Sequence, residues 1–363
     1  MPSRRLLAVL SSTALAALIL VGACAPDAGT SGSAGSGAHL AEVEPLDDPG
    51  SYVGPSTAVL TDTALHPVAT DPTPQLPATV TDAQGTEITV HDVSRILAVD
   101  LYGTAARAVY ELGLGDNLVG RDTSSGFPEV ADLPLVTANG HELNGEAILG
   151  LAPSVIITDT SLGPWDVMLQ MRDAGIPVIV IDSHRSLETA PALIQQIADA
   201  LGVSEQGEEL AQRTQESIEA MVAQIAAIAP EGDDKLRIAF LYVRGQSGIY
   251  YMFGTGSGTD SLIGALGGTD VATEIGWEGM QPLTDEGLVA AAPDLVLMMT
   301  KGLESVDGVA GLLERVPALG LTPAGQNQRI VDMSDYEILS FGSNSADVLE
   351  ALAVAIYAPQ GAE

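Results

Sequence analysis

Cysteine is all but missing: Cys24 is the only one in 363 residues, so no internal disulfide can form. Positive charge is scarce as well. Fourteen Lys and Arg stand against 48 Asp and Glu, a formal net charge of −34 at pH 7, which excludes nucleic acid as a partner and argues against adhesion to anionic lipid headgroups. Histidine occurs five times, with no HExxH pair and no second histidine within helical spacing of His141, and no GxSxG elbow is present. The glycine run at 254–258 lacks the Lys-Ser/Thr ending of a phosphate-binding loop. Signatures of a zinc peptidase, a serine hydrolase or a nucleotidase are thus lacking, and the chain reads as a binding protein rather than an enzyme.

Long apolar runs are also wanting. The one near the amino terminus follows Arg4 and Arg5, is broken by Ser11, Ser12 and Thr13, and stops at Val21-Gly22-Ala23-Cys24. A spanning helix needs about 20 uninterrupted apolar residues, so residues 1–23 read as a signal peptide. The segment resembles a bacterial lipoprotein signal, which implies cleavage before Cys24 and diacylation of that residue. The chain would then sit on the extracytoplasmic face of the cell membrane. A plain anchor, or a secreted protein with an incidental cysteine, is the alternative.

Small residues dominate 27–37, and Pro, Asp and Thr persist to about residue 77. Residues 24–78 are therefore expected to be a flexible tether and linker, with the folded part beginning near Thr79. Beyond it β-branched residues flank Asp82 to Gly85 as in a hairpin. Apolar runs at 96–100, 118–121, 155–158 and 178–182 alternate with helical spacing at 104–114 and 164–174, the pattern of an α/β lobe over residues 79–186 with a mainly parallel sheet. Residues 187–230 carry no strand signal and read as a long helical spine, with a possible break at Gly202. Strand runs return at 237–243, 294–300 and 329–333, with helices near 260–266 and 343–357, giving a second α/β lobe over 235–358.

The two lobes look related. Asn144-Gly-Glu146-Ala-Ile-Leu-Gly-Leu-Ala-Pro153 and Thr284-Asp-Glu286-Gly-Leu-Val-Ala-Ala-Ala-Pro293 each run from a capping residue through a glutamate and a short apolar helix to a proline and a strand, at an offset of 286 − 146 = 140. Two such lobes on a spine leave a cleft at the carboxyl ends of their strands. His141 lies in a polar loop before the first of these helices. Tyr242 and Arg244 end a strand of the second lobe, on one face by alternation. A phenol ligates ferric iron well only as phenolate, and a neighbouring guanidinium favours that charged form. Tyr242 with Arg244 is thus a sensible donor pair, and His141 could supply the opposite nitrogen to a haem iron. On spacing alone the plainer reading stands beside it, with a packed strand tyrosine, a surface arginine and a loop histidine.

From about Thr79 to Tyr357 the sequence resembles the haem-binding lipoproteins of bacterial haemin ABC importers, within the larger family of siderophore, cobalamin and haem receptors. The likeness rests on the hairpin before Arg95-Ile-Leu-Ala-Val99, Gly140-His141-Glu142-Leu143-Asn144, Leu241-Tyr242-Val243-Arg244-Gly245 and Phe253-Gly-Thr-Gly-Ser-Gly-Thr-Asp260. It implies a class III periplasmic binding protein, two Rossmann-like lobes joined by a long helical spine. It also implies haem as transported ligand, held by His141 and Tyr242 as axial ligands with Arg244 supporting the tyrosine, and Glu146 and Glu286 as docking residues for the permease of an ABC transporter with its ATPase subunits. Upstream haem-acquisition surface proteins are possible donors, and a monomer is expected. Met299 and Tyr336 are candidates for the haem face, though core or rim roles fit them too. Arg121 and Lys301 are candidate cations for the haem propionates. A ferric-siderophore or cobalamin receptor of the same fold, an exported metalloenzyme using His141, and a surface haem store without a permease are the competing readings.

Overall fold

In a computed structural model of the chain, residues 37–138, 140–245 and 249–359 are described; the expected signal peptide, Cys24 and the first part of the tether lie outside them. A short strand β1 (Ser56–Ala58) precedes the hairpin β2 (Ala78–Thr81) and β3 (Glu87–Val90). The first lobe then runs through β4 (Ile96–Val99), α1 (Thr104–Val109), β5 (Leu118–Gly120), β6 (Thr137–Ala138), β7 (Glu142–Leu143), α2 (Gly145–Leu151), β8 (Val155–Thr158), α3 (Asp166–Asp173) and β9 (Val178–Val180). Helices α4 (Ala190–Leu201) and α5 (Ser204–Ala226) follow. The second lobe contains β10 (Arg237–Val243), β11 (Tyr250–Phe253), α6 (Thr259–Ala265), β12 (Thr269–Asp270), α7 (Val271–Glu274), β13 (Met280–Pro282) and α8 (Asp285–Ala291). It closes with β14 (Leu295–Met299), α9 (Thr300–Glu304), α10 (Gly308–Arg315), α11 (Pro323–Gln326), β15 (Ile330–Met333) and α12 (Ser345–Tyr357).

Each lobe is built on one sheet. In the first, the order is β5-β4-β8-β9, all parallel. Its strands are apolar on both faces because both are covered. Ile96, Ala98, Val155 and Ile157 pack on one side with Leu193, Ile194 and Ile197 of α4, and Leu97, Val99 and Ile156 pack on the other with Met168 and Met171 of α3. In the second lobe the order is β1-β15-β14-β10-β11-β13, with β12 beside the start of β10. The parallel part is β1, β15, β14 and β10, while β11 and β13 turn back antiparallel. These last two strands were not anticipated, although the aromatic run Tyr250-Tyr251-Met252-Phe253 is a strand signal in its own right.

The spine is two helices rather than one. Gly202 has φ +73, a left-handed conformation suited to glycine, and it ends α4. The chain folds back so that Gly207 of α5 lies against Ala198 and Gln195 of α4. Helix α4 belongs to the first lobe. Helix α5 joins the lobes, since Leu210 is part of the first core while Ile218 and Ile225 are part of the second; its 23 residues span about 34 Å.

The expectation of a flexible linker is corrected for residues 37–77. Leu40 is buried in the second core. Strand β1 pairs with β15 in the register Ser56↔Val331, and the Ser56 hydroxyl donates to the Ala355 carbonyl at 2.7 Å. The segment then crosses to the first lobe, where the Val68 and Gln75 amides donate to the carbonyls of Glu111 and Gly202. Its composition misled because three-residue elements have no measurable period. They hold by borrowing partners some 300 positions away, which local sequence cannot display.

Direct contacts also tie lobe to lobe. Arg107 of α1 lies 3.7 Å from Glu337, with both side chains largely buried, and Thr104 donates to the Ser340 carbonyl. The Tyr336 ring covers Gly126, where any Cβ would come within 2.9 Å of the ring.

Candidate functional site

After β5 the chain extends past the carboxyl end of the first sheet, held by Arg121 N to Pro134 O at 3.0 Å and Val136 N to Arg121 O at 2.9 Å. It then makes the small antiparallel ladder β6–β7, in the register Thr137↔Leu143 and Ala138↔Glu142. His141 stands at the tip of that ladder, after Gly140 with φ +90, a turn conformation glycine adopts without steric cost. The base is fixed by Leu143, buried in the core, whose amide donates to the Gly163 carbonyl at 2.6 Å. The exposed imidazole thus lies two residues before an anchored leucine. Partial enclosure and then the charge of Arg244 hold the His141 pKa below the ordinary histidine value. Arg244 belongs to the other lobe, so its charge acts on the imidazole from across the gap.

Strand β10 carries the second half of the site. Ala239, Leu241 and Val243 point into one core, and Phe240 points into the other. Tyr242 and Arg244 continue the Phe240 face beyond the point where helices cover it, so Tyr242 is half-buried and Arg244 exposed. Arg244 Nη1 donates to the Tyr242 hydroxyl at 3.3 Å, and Nη2 lies 3.9 Å from the Asp335 carboxylate. Tyr251 of β11 is directly opposite Tyr242, with ring centroids 6.3 Å apart, and Phe253 lies at 6.4 Å. The donor pair thus sits in an aromatic wall of Tyr242, Tyr251 and Phe253. The latter two were missed in the sequence together with β11.

The remaining candidates are placed as follows. Met299 ends β14, half-buried against the second core. Tyr336, in the loop after β15, receives a hydrogen bond from Lys301 Nζ at 2.7 Å while its ring packs on Gly126. Lys301 is thus already engaged. Arg121 is half-buried and donates to the Asp122 carbonyl at 3.3 Å, with its Nε unpartnered.

Glu146 and Glu286 occupy equivalent positions in α2 and α8, both exposed. The caps match too: Asn144 accepts from Ala147 N at 3.0 Å and Thr284 from Gly287 N at 3.1 Å. Ala152 and Ala292 close the helices in the same left-handed conformation, φ 45 and φ 42. An arginine at the foot of the central strand caps each helix end, Arg95 through Nε to Leu151 O at 3.1 Å and Arg237 through Nη2 to Ala291 O at 2.8 Å. The offset of 140 therefore extends from Asn144/Thr284 to Leu151/Ala291 and on to Ser154/Asp294, which exchange hydrogen bonds with Arg95 and Arg237 respectively.

Comparison with known proteins agrees with this architecture. A family model described as "Periplasmic binding protein" matches residues 99–337. A crystal structure of the heme binding protein HmuT superposes with TM-score 0.81 at 40% identity, covering 85% of this chain and 99% of that one. Structures of its variants with an arginine, a tyrosine or a histidine replaced by alanine superpose equally well, with TM-scores of 0.81–0.82. The apo form of the periplasmic heme-binding protein RhuT from Roseiflexus sp. RS-1 gives a TM-score of 0.65 at 34% identity, covering 74% of this chain and all of that one. The uncharacterized ABC transporter substrate-binding lipoprotein YvrC of Bacillus subtilis (strain 168) is 25% identical over 288 residues, 77% of this chain and 86% of its own length. With the family model covering well over half of its length and a solved relative 40% identical over an alignment that covers 85% of it, this chain belongs to the periplasmic binding protein family.

Proposed function

We propose that the chain captures haem between its lobes and hands it to an ABC permease, without chemical turnover. The observation that carries this reading is the Tyr242–Arg244 pair, hydrogen-bonded at 3.3 Å at the carboxyl end of one lobe's sheet, with His141 past the carboxyl end of the other lobe's sheet. In that arrangement His141 offers a neutral nitrogen to the iron and Tyr242 a phenolate stabilised by Arg244. Tyr251, Phe253 and Met299 supply apolar surface for the porphyrin face. The nearby heme-binding relatives and their histidine, tyrosine and arginine variants support the same trio.

Arg121 and Lys301 are assigned to the propionates, and Lys301 must exchange its Tyr336 bond to serve. Delivery is assigned to Glu146 and Glu286, one carboxylate per lobe meeting cations on the permease. Attachment to the outer face of the membrane is assigned to a lipid on Cys24.

Haemin titrated into the purified protein tests the reading. A saturable Soret band at one equivalent, shifted in both His141→Ala and Tyr242→Ala, is the expected result. A band unaltered by either substitution would mean that haem is held elsewhere.

A further inference from the structure

Leu149 and Val289 are large apolar side chains left 47% and 38% exposed on helices whose preceding residues, Ile148 and Leu288, are fully buried. A lone exposed leucine is ordinary. These two occupy the same place in the internal repeat, 289 − 149 = 140, and each follows its glutamate by three residues. Positions three apart on a helix share a face, so each lobe displays a carboxylate beside an apolar side chain on the outward side of its helix. The pair recurs although neighbouring positions have diverged, Gly145 against Asp285 and Ala147 against Gly287. The helices are also held alike, by the same caps and by the Arg95 and Arg237 guanidinium groups at their ends.

We infer that Leu149 and Val289 are contact residues of the permease-docking surface, each seated in an apolar socket beside the cation that meets Glu146 or Glu286. The inference rests on the docking role proposed above. Its occupant is a membrane permease presenting that cation-and-socket surface twice, because this chain carries the complementary pair once on each lobe. Charge supports the choice of partner. Glu146, Asp285 and Glu286 are the charged residues of the first turns, all of them acidic, on a chain with few cations overall. The apolar neighbour answers a separate need. An exposed ion pair adds little net affinity because water and salt screen it, whereas removing the exposed part of a leucine or valine side chain from water is favourable whatever the salt. Two carboxylates would steer the encounter, and the apolar pair would lengthen the complex's lifetime.

The test uses the full-length haem-loaded protein and its permease–ATPase complex in proteoliposomes, reading ATPase stimulation and haem transport against protein concentration. Leu149→Ser and Val289→Ser are each expected to raise the half-maximal concentration about three- to tenfold, and the double variant by roughly the product. The Soret band and melting temperature should stay as in the parent, since neither side chain reaches the haem site or a core. An unchanged half-maximal concentration in the double variant, with coupling lost in Glu146→Ala/Glu286→Ala, overturns the apolar contact and leaves docking through the glutamates standing. Coupling retained in both double variants removes the docking reading itself.

Discussion

Arg244 Nη1 donates to the Tyr242 hydroxyl at 3.3 Å, across a single intervening residue at the open end of β10. The contact is long, and Arg244 is exposed enough to shorten it when the phenol becomes a charged ligand. Its other link, to Asp335 at 3.9 Å, is too loose to hold it back. A hydrogen bond to a charged group is worth about 1.5–3 kcal/mol, so Arg244→Ala is expected to weaken haemin binding about 10- to 100-fold at neutral pH. Arg244→Lys should recover only part of this, because the ammonium keeps the charge and loses the planar fork. Haemin titrations of the three proteins decide it, and equal affinities would free Arg244 of the role.

The relation between Arg244 and His141 gives an independent check in the ligand-free protein. The imidazole is held below the ordinary histidine range by enclosure first and by the Arg244 charge second. It should therefore titrate below about 6.5, remaining neutral and able to ligate iron where an ordinary histidine is half charged. In Arg244→Gln the midpoint should rise without reaching the ordinary value, since the enclosure remains. Proton NMR of the His141 ring reads this directly. A midpoint indifferent to residue 244 would place the two side chains beyond each other's reach.

Strand periodicity made Tyr242 and Arg244 legible in sequence, because alternation along 238–244 puts them on one face whatever the fold. His141 was legible through scarcity and its place before a capped helix. The repeat that relates α2 to α8 was visible because caps, glutamate and proline are local features. The aromatic wall was not, since Tyr251 reaches Tyr242 only through an antiparallel pairing that no local pattern announces. Neither was the role of Arg95 and Arg237, whose acceptors lie some 55 residues along the chain, nor the burial of Leu40 in the core of a lobe that begins almost 200 residues later.

Leu40 therefore distinguishes a packed strap from a tether. It is 6% exposed, and its amide donates to Glu350 at 3.0 Å. Leu40→Ala should cost about 2–5 kcal/mol, the usual range for a core leucine. Urea unfolding of the two proteins measures it, and a loss within 0.5 kcal/mol, roughly that of a surface change, would return the segment to linker status.

The carboxyl ends of the first sheet hold a buried charge cluster that the haem reading does not use. Arg185 Nη2 bridges Asp100 at 3.1 Å and Asp159 at 2.7 Å, all three side chains being nearly inaccessible, with the Tyr102 ring 4.9 Å from the guanidinium carbon. Asp122 lies beside them and accepts from Asp100 N at 2.9 Å. Burial, and then the Asp100 carboxylate, push Asp122 up to about 7. An unfolded aspartate titrates near 3.9, so between about pH 4 and pH 7 the native chain keeps a proton that the unfolded chain has released. The stability from this group is complete below about pH 4 and is lost as pH rises towards 7. Asp122→Asn cannot titrate, so its unfolding free energy should decline less over that window, and the difference between the two curves isolates the group from other carboxylates. Arg185→Met tests the cluster from the opposite side: with its cation gone, two carboxylates are left buried together, at a cost of about 3–5 kcal/mol. That cost should shrink as the solution is acidified and the stranded carboxylates take up protons, whereas a loss of packing alone would be the same at every pH.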